Sequence, residues 1–374
     1  MKKLIAILVV FALFTSTAFA ADVFFGAWGR GDFVPLRFGI PVVGDNITTA
    51  STEVSWGGAP AFGFDFTLDG GEIGFKGNIK ISDYNVGGNE AAYTWWKPLD
   101  AFQLTIGWAR WEVLRGAGGP ESFAGYAKAG SFGEEALFAR FDTVGAVGPI
   151  LQLTPIENLY VGVAIRTGTN SIGWYDSDGD DVDDAWGDDG NVAELGDIFK
   201  YGGQYALGYD IPGIGLARVG YFGNDKQKIQ VAFALKAVDG VFVDFGFSFK
   251  TADDLKDGAG NNIQLNLVGN VDLGDMINIW FGINGEFGKK DSGLLQFGLN
   301  PTFKLDFADI GLGFYIGFPL EDDAKATLGF DLYLAKNVGG GTFKAGVAVG
   351  IEPVGASDNV VLIQIPIEIT YSIY

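Results

Sequence analysis

The sequence predicts an all-β chain: a transmembrane, antiparallel, up-and-down β-barrel of about eighteen strands, with sixteen as the alternative count. Three observations carry this expectation. Apolar residues recur with a period of two through most of the chain. One row of each such segment is Phe, Ile, Leu and Val, whereas the other is rich in Gly, Ala, Asn, Gln and Lys. The connections between segments alternate strictly between short and longer ones. An antiparallel sandwich also alternates, but the apolar row here repeats more often than one sandwich core could bury.

The N-terminus comes first. Lys2 and Lys3 precede the uncharged run from Leu4 to Phe14, and Ala18-Phe19-Ala20 supplies an A-x-A site. Residues 1–20 therefore read as a cleaved secretory signal peptide, and 21–374 as a single transmembrane barrel domain. The apolar run is shorter than the roughly 20 residues a membrane helix needs, and no later uncharged stretch reaches about 18. Lipid leaves two ways to satisfy a spanning backbone, helices and closed barrels, and only the barrel remains.

Composition narrows function. The chain is 48% hydrophobic, with 32 Phe, 9 Trp, 13 Tyr and 58 Gly, yet carries a net charge of −21. Its charges cluster between the apolar segments. Cysteine is absent, so pairing and burial must hold an exported chain without disulfides. Histidine is absent too, which removes Ser-His-Asp hydrolysis, Cys-His chemistry and His-ligated zinc. The chain is not expected to be an enzyme, and nucleic acid is not expected among its partners.

The segments follow in order. In 73–81, Ile73, Phe75, Ile79 and Ile81 oppose Lys76, Asn78 and Lys80. Lys97 stands beside Trp95 and Trp96, as in an aromatic girdle. Phe102, Leu104, Ile106 and Trp108 share a row with Arg110, which would therefore face lipid unless it lies at headgroup level, where Arg is tolerated. In 159–166, Leu159, Val161, Val163 and Ile165 oppose Tyr160, Gly162, Ala164 and Arg166. Val243, Phe245, Phe247 and Phe249 oppose Asp244, Gly246, Ser248 and Lys250; Ile263, Leu265 and Leu267 oppose Gln264, Asn266 and Asn270; Ile277, Ile279, Phe281 and Ile283 oppose Asn278, Asn284 and Glu286. The run 360–374 closes the series, with Val361, Ile363, Ile365, Ile367, Ile369 and Tyr371 on one face and Gln364, Glu368, Thr370 and Ser372 on the other.

Short turns are expected near 70–71, 98–100, 155–158, 211–213, 239–240, 272–275, 306–309 and 337–341. Longer connections are expected at 40–58, 84–89, 113–146, 169–198, 224–227, 251–260, 288–292, 319–324 and 353–359. Short turns at one end and longer loops at the other describe an outer-membrane barrel, whose even strand count leaves both ends of the chain on the same side. The segment 23–39, with Pro35 inside it, leaves the count open between eighteen and sixteen.

On these features the mature chain resembles the Gram-negative outer-membrane β-barrels of porin type. The stretch WGRGDFVPL, 28–36, is similar to one in spirochaetal outer-membrane proteins. The resemblance implies insertion into outer-membrane lipid by barrel-assembly machinery and a homotrimer as the habitual assembly. In general porins the third outer loop folds into the lumen and carries a Pro-Glu-Phe-Gly-Gly signature. Here the third long connection, 113–146, contains GGPESFAG with Pro120, Glu121, Phe123 and Gly125. The inserted Ser122 and Ala124 depart from that signature. The alternatives are a loop that constricts the lumen, one that lies over the mouth, or an extra pair of strands. A constricting loop would set Glu121, Glu134 and Glu135 against Lys76, Lys80 and Arg166, and opposed charges across a narrow pore tune ion preference.

The run YDSDGDDVDDAWGDDG, 175–190, places Asp176, Asp178 and Asp180 at alternate positions, followed by Asp183 and Asp184. Carboxylates so spaced in a turn converge on a hard cation, and the run resembles D-x-D-x-D-G calcium loops. It lacks their glycine at Asp181 and their twelfth-position Glu. A solvated acidic loop is the competing reading, and Ca²⁺ is the only candidate cofactor. Under either reading, ten acids between Asp176 and Asp197 favour cations at that rim.

A barrel of this size leaves an aqueous channel, so the leading expectation is a porin for passive diffusion of small hydrophilic solutes or ions. Its pore-lining residues would be Lys76, Asn78, Lys80, Arg166, Gln204, Lys236, Asp244, Gln264, Asn266, Asn278, Asn284, Glu286, Gln296, Asn300 and Lys304. These inward rows contain no aromatic row. Two alternatives stay open: a structural or adhesive surface barrel with an occluded lumen, and a transporter of hydrophobic substrates. At the end of the chain the lipid-side row finishes at Ile373 and leaves Tyr374 on the other parity, which implies a bulge near the end or an assembly signal offset by one.

Overall fold

The computed structural model describes residues 22–43, 46–47, 51–82, 85–86, 92–118, 141, 144–165, 173–175, 185–188, 191–192, 199–200, 202–223, 227–250, 261–288, 293–321, 325–354 and 358–373. Eighteen antiparallel strands form one closed sheet. They are β1 (Asp22–Val43), β2 (Ser51–Asp69), β3 (Ile73–Ser82), β4 (Ala92–Leu99), β5 (Phe102–Arg110), β6 (Gly145–Leu153), β7 (Leu159–Ile165), β8 (Gly203–Ile211), β9 (Gly215–Phe222), β10 (Lys228–Val238), β11 (Val241–Lys250), β12 (Asn261–Asp272), β13 (Ile277–Gly288), β14 (Gly293–Lys304), β15 (Asp309–Pro319), β16 (Thr327–Val338), β17 (Gly341–Val354) and β18 (Asp358–Gln364 and Ile367–Ile373). Each strand pairs with its neighbour in sequence, and β18 pairs back onto β1. Among the described residues no helix is long and apolar enough to cross a membrane.

The alternating faces explain why these segments are strands. On β11, Phe245, Phe247 and Phe249 are exposed to the outside while Asp244, Gly246 and Ser248 are buried on the inside. The same alternation places Leu332 and Leu334 outside and Asp331 and Tyr333 inside on β16. A one-residue slip would drive a whole row of charges or amides into lipid, so the pattern fixes the register. Short turns fall where Gly supplies positive φ, as at Gly240 (φ 73°) after Asp239 and at Gly339 and Gly340 (φ 56° and 90°).

The seam resolves the ambiguity around Pro35. Phe33 pairs with Ile367 and Arg37 with Gln364, so four steps along β1 match three along β18. Across β18's other edge Ala345 pairs with Ile367 and Ala348 with Gln364, three steps against three. The extra residue therefore belongs to β1, at a bulge beside Pro35, where proline has no N–H to give the ladder. Pro366 lies opposite. Around this break the Ile365 N–H donates to the Leu36 carbonyl (3.0 Å) and the Gly346 N–H to the Pro366 carbonyl (3.1 Å). Residues 22–43 thus form one strand, and the count is eighteen, not sixteen. From Ile367 to Ile373 the register with β1 is unbroken, so among the described residues no bulge near the end shifts the parity of the last strand; Tyr374 lies outside the described residues.

An arginine in the middle of the outer row meets hydrocarbon, and one near the rim meets headgroups. Phe245→Arg should cost about 2–4 kcal/mol of stability, and Val238→Arg beside the 239–240 turn about 0–1 kcal/mol. Denaturant unfolding of the barrel folded into liposomes measures both.

Candidate functional site

The third long connection enters the barrel. After β5 the chain makes a short 3₁₀ turn, Glu112–Leu114, and continues to Gly118; the return arm is described at Phe141 and Val144. The arms are tied to each other. The Trp111 N–H donates to the Val144 carbonyl (2.9 Å), and the Gly116 N–H to the Phe141 carbonyl (2.9 Å). Glu112 and Arg115 pair at 3.1 Å within the turn.

The inner wall beneath this strap is made of small residues. Leu114, Phe141 and Val144 are fully buried against Ala109, Ile150, Ala164, Ala206, Phe222 and Ala232, with Tyr93, Trp111 and Tyr160 around them. A Cβ at Gly162 would meet Val144 and Trp111, and one at Gly208 would meet Leu114. Alanine and glycine on the inward rows of β5 to β10 thus leave the volume that the strap's apolar side chains fill. The fit is a small core inside the lumen.

The far end of the strap is clasped. The Ala117 N–H donates to Asp244 Oδ2 (2.7 Å) on β11. Asp244 also pairs with Arg218 of β9, both side chains being almost wholly buried. Arg218 Nη1 donates to the Leu114 carbonyl (3.3 Å), and its guanidinium lies over the Phe141 ring at 5.3 Å. Ala117 and Trp280 of β13 both pack against the buried cluster of Val268 of β12 and Tyr315 of β15. In a ring of eighteen strands, β5 and β12 to β15 are nearly opposite, so the strap crosses the lumen. Pairing offsets the cost of burying the two charges, so losing either partner is costly.

The expected inward residues are found on the inner face wherever they are described. Gln204 is buried and accepts from the Gly145 N–H (2.8 Å). Ser248 Oγ donates to Gln264 Oε1 (3.0 Å), and Gln264 Nε2 donates to Glu286 Oε1 (3.1 Å). Asn266, Asn284, Gln296 and Asn300 are buried. Asn278 exchanges hydrogen bonds with Asn270. Lys304 reaches Asp272 (3.3 Å) at the short-turn rim, where Lys236 is exposed. Lys76, Asn78 and Lys80 share the inner row of β3, with Lys80 over the Trp28 ring at 5.8 Å. Arg110 is exposed on the outer row, and Lys97 pairs with Asp100 at 3.1 Å.

Several expected residues lie outside the described ones: Arg166, the loop residues Pro120, Glu121, Phe123, Gly125, Glu134 and Glu135, and the acidic residues Asp176, Asp178, Asp180, Asp183 and Asp184. The described part of the strap engages Arg218 and Asp244, not the lysines of β3. Among the described residues no cluster of three or more metal-ligating side chains occurs. Within and beside the acidic run 175–190, Gly173–Tyr175, Ala185–Asp188 and Asn191–Val192 form a small three-stranded sheet with Trp174 opposite Trp186.

One expectation is corrected. The inner face does carry aromatics: Trp28, Tyr93, Trp95, Tyr160, Phe222, Trp280, Tyr315 and Tyr333. Three of them take their room from glycines on neighbouring strands, Gly63 under Trp28, Gly74 under Trp95 and Gly311 under Tyr333. A second charged group adjoins them. Glu368 pairs with Arg30 (3.0 Å) and Lys344 (3.7 Å), Lys344 lies over Tyr333 at 5.1 Å, and Tyr333 donates to Asn300 Oδ1 (3.3 Å). Arg218, Leu114, Phe141 and Val144 are not among the residues the sequence marks out. The available signal was an arginine alone on an inward row of Leu216, Gly220 and Phe222.

No family model matches the chain, and neither does any curated protein. Solved structures do. OpdL and OpdQ of Pseudomonas aeruginosa each align with a TM-score of 0.53 at 11% identity, over 94% of this chain and 99% of theirs. Acinetobacter baumannii OccAB4 aligns with a TM-score of 0.52 at 9% identity, over 93% of this chain and 98% of its own. At these identities the likeness is one of fold.

Removing one member of the clasp leaves its partner charged and buried. Arg218→Met should destabilise the barrel by about 3–5 kcal/mol, and the double variant R218M/D244L should regain most of it. Unfolding midpoints of the three proteins in one lipid measure the difference.

Proposed function

We propose that the chain is a porin of the bacterial outer membrane, a water-filled channel for passive diffusion of small hydrophilic solutes or ions. One observation carries the reading: a closed ring of eighteen strands with an apolar outside encloses a face of amides and charges, narrowed by a strap clasped to β9 and β11 and packed against β12 and β15. A ring of this size exceeds what wall side chains alone can fill. Narrowing by an inward segment sets a size limit without abolishing passage. The channel needs no cofactor and performs no covalent chemistry. Outer-membrane lipid and barrel-assembly machinery are its proposed partners, and a homotrimer its proposed assembly. The acidic run 175–190, whether solvated or holding Ca²⁺, gives the longer-loop rim a cation preference. The burial of inner residues such as Gln230 and Asn284 favours a second reading, an occluded barrel whose loops do the work.

Planar-bilayer recording separates the two. The porin reading expects a stable open conductance that rises when residues 117–130 are deleted; a silent protein supports the occluded barrel. Reversal potentials should report cation preference at 0.1 M salt, where screening reaches about 10 Å, and lose most of it at 1 M, where it reaches about 3 Å. Replacing Asp176, Asp178, Asp180, Asp183 and Asp184 by Asn should remove the preference at low salt; anion selectivity in the parent at low salt contradicts it. Calorimetric titration in the millimolar range tests the Ca²⁺ version.

A further inference from the structure

The inner face has a hollow on the seam at its short-turn end, away from the strands that hold the strap. A cavity of about 230 Å³ opens between β17, β18 and β1. Its side chains are inward ones: Trp28 and Arg30 of β1, Thr370 and Ser372 of β18, and Thr342 of β17. Thr370 stands opposite both Arg30 and Thr342, and Ser372 opposite Trp28. The outward neighbours Phe62, Phe343 and Ile369 do not line it, and the Tyr371 ring lies outward against Gly341, so the hollow faces the lumen. Short side chains on β18 beside long ones on β1 leave this space, and the turn residue at its edge, Gly340 (φ 90°), adds no side chain.

The hollow is reachable and rich in donors. The Arg30 side chain is 52% exposed, and Thr342, Thr370 and Ser372 are half-buried. Arg30 Nη2 donates to Glu368 Oε2 (3.0 Å), which sets the guanidinium over the β18 side of the cavity. The Thr342 hydroxyl donates to Asn337 Oδ1 (2.8 Å) and is fixed at the edge. The hydroxyls of Thr370 and Ser372 can rotate to donate to a ligand, and a guanidinium offers five N–H groups and no acceptor. Charges on the adjoining inward positions balance. Glu368 is shared by Arg30 and Lys344, Asp32 stands opposite Glu368, and Asp65 lies one inward position beyond Gly63, beside the row of Lys80. Recognition here therefore comes from the donors in the hollow, not from a net positive wall.

We propose that this hollow is a binding subsite at the short-turn mouth for the phosphate group of a small solute, held by the Arg30 guanidinium and the Thr370 and Ser372 hydroxyls. The proposal rests on the channel reading above for the solute's arrival at this mouth. An arginine fork binds carboxylate and phosphate alike. A planar carboxylate spends both oxygens on the fork, whereas a tetrahedral phosphate keeps further oxygens for hydroxyls on the adjoining strand.

The test uses the detergent-solubilised full barrel and the phosphorus NMR line of inorganic phosphate, with acetate as the planar competitor. The parent should broaden the line saturably, and acetate should displace phosphate poorly. In T370V/S372A, which leaves every charge in place, phosphate binding should weaken about ten-fold or more, one hydrogen bond to a charged group being worth about that factor. R30Q should abolish it. K336M, which removes an exposed cation from the outward row at the same rim, should bind as the parent does. No saturable broadening in the parent, displacement by acetate as readily as by phosphate itself, unchanged binding in T370V/S372A, or an equal loss in K336M overturns the proposal. Conductance recorded on the same preparation keeps the two readings apart. A conducting barrel that does not bind phosphate loses only the subsite, and a silent barrel that binds it loses only the channel.

Discussion

Hydrocarbon offers no partner for a backbone N–H or carbonyl, and the rest of this molecule follows from that constraint. Every strand must have two neighbours, so β18 must return to β1. The seam where it does so is also the least regular place in the sheet. Pro35 and Pro366 withhold two donors there, and the bulge in β1 absorbs the mismatch while Ile365 and Gly346 supply the nearest bonds. Closure does not require a perfect ladder, only one whose gaps are bridged.

Closure then creates a second problem, a lumen wider than its own side chains can fill. The chain solves it with its third long connection, and the sequence of the wall is matched to that solution. Ala109, Ala164, Ala206 and Ala232, with Gly162 and Gly208, stand where Leu114, Phe141 and Val144 press in. Elsewhere on the inner face the same trade is made with Trp28, Trp95 and Tyr333, laid over Gly63, Gly74 and Gly311 of the next strand. Glycine is abundant here because the inside of a barrel needs floors as well as walls.

Much of this was legible in the residues. Alternation assigned Phe245, Phe247 and Phe249 to one side and Asp244, Gln264, Asn266 and Asn284 to the other, because lipid tolerates no error in that row. Turn positions were legible from pairs such as Asp239-Gly240. What alternation cannot give is what meets the inner face. Leu114 and Phe141 lie in a connection, where apolar residues carry no period, and their buried sites become visible only once β5 to β10 are side by side. Arg218 and Asp244 are 26 residues apart on non-neighbouring strands, so neither advertises the other. Inward Trp95 looked like a girdle residue because the glycine that accommodates it, Gly74, belongs to another strand.

The central claim is that the strap spans the lumen from β5 to the wall at β12. The chain has no cysteine of its own, so the pair A117C/V268C reports on this without background. If the strap crosses, a short thiol-specific crosslinker should join the two cysteines in the folded barrel and lock residues 117 and 268 into one loop, seen as a shifted band after unfolding. A paired control at positions 117 and 75, with Phe75 on the outer row of β3, should not crosslink. Failure of the 117–268 pair to join in a barrel shown to be folded would place the strap elsewhere and contradict the account.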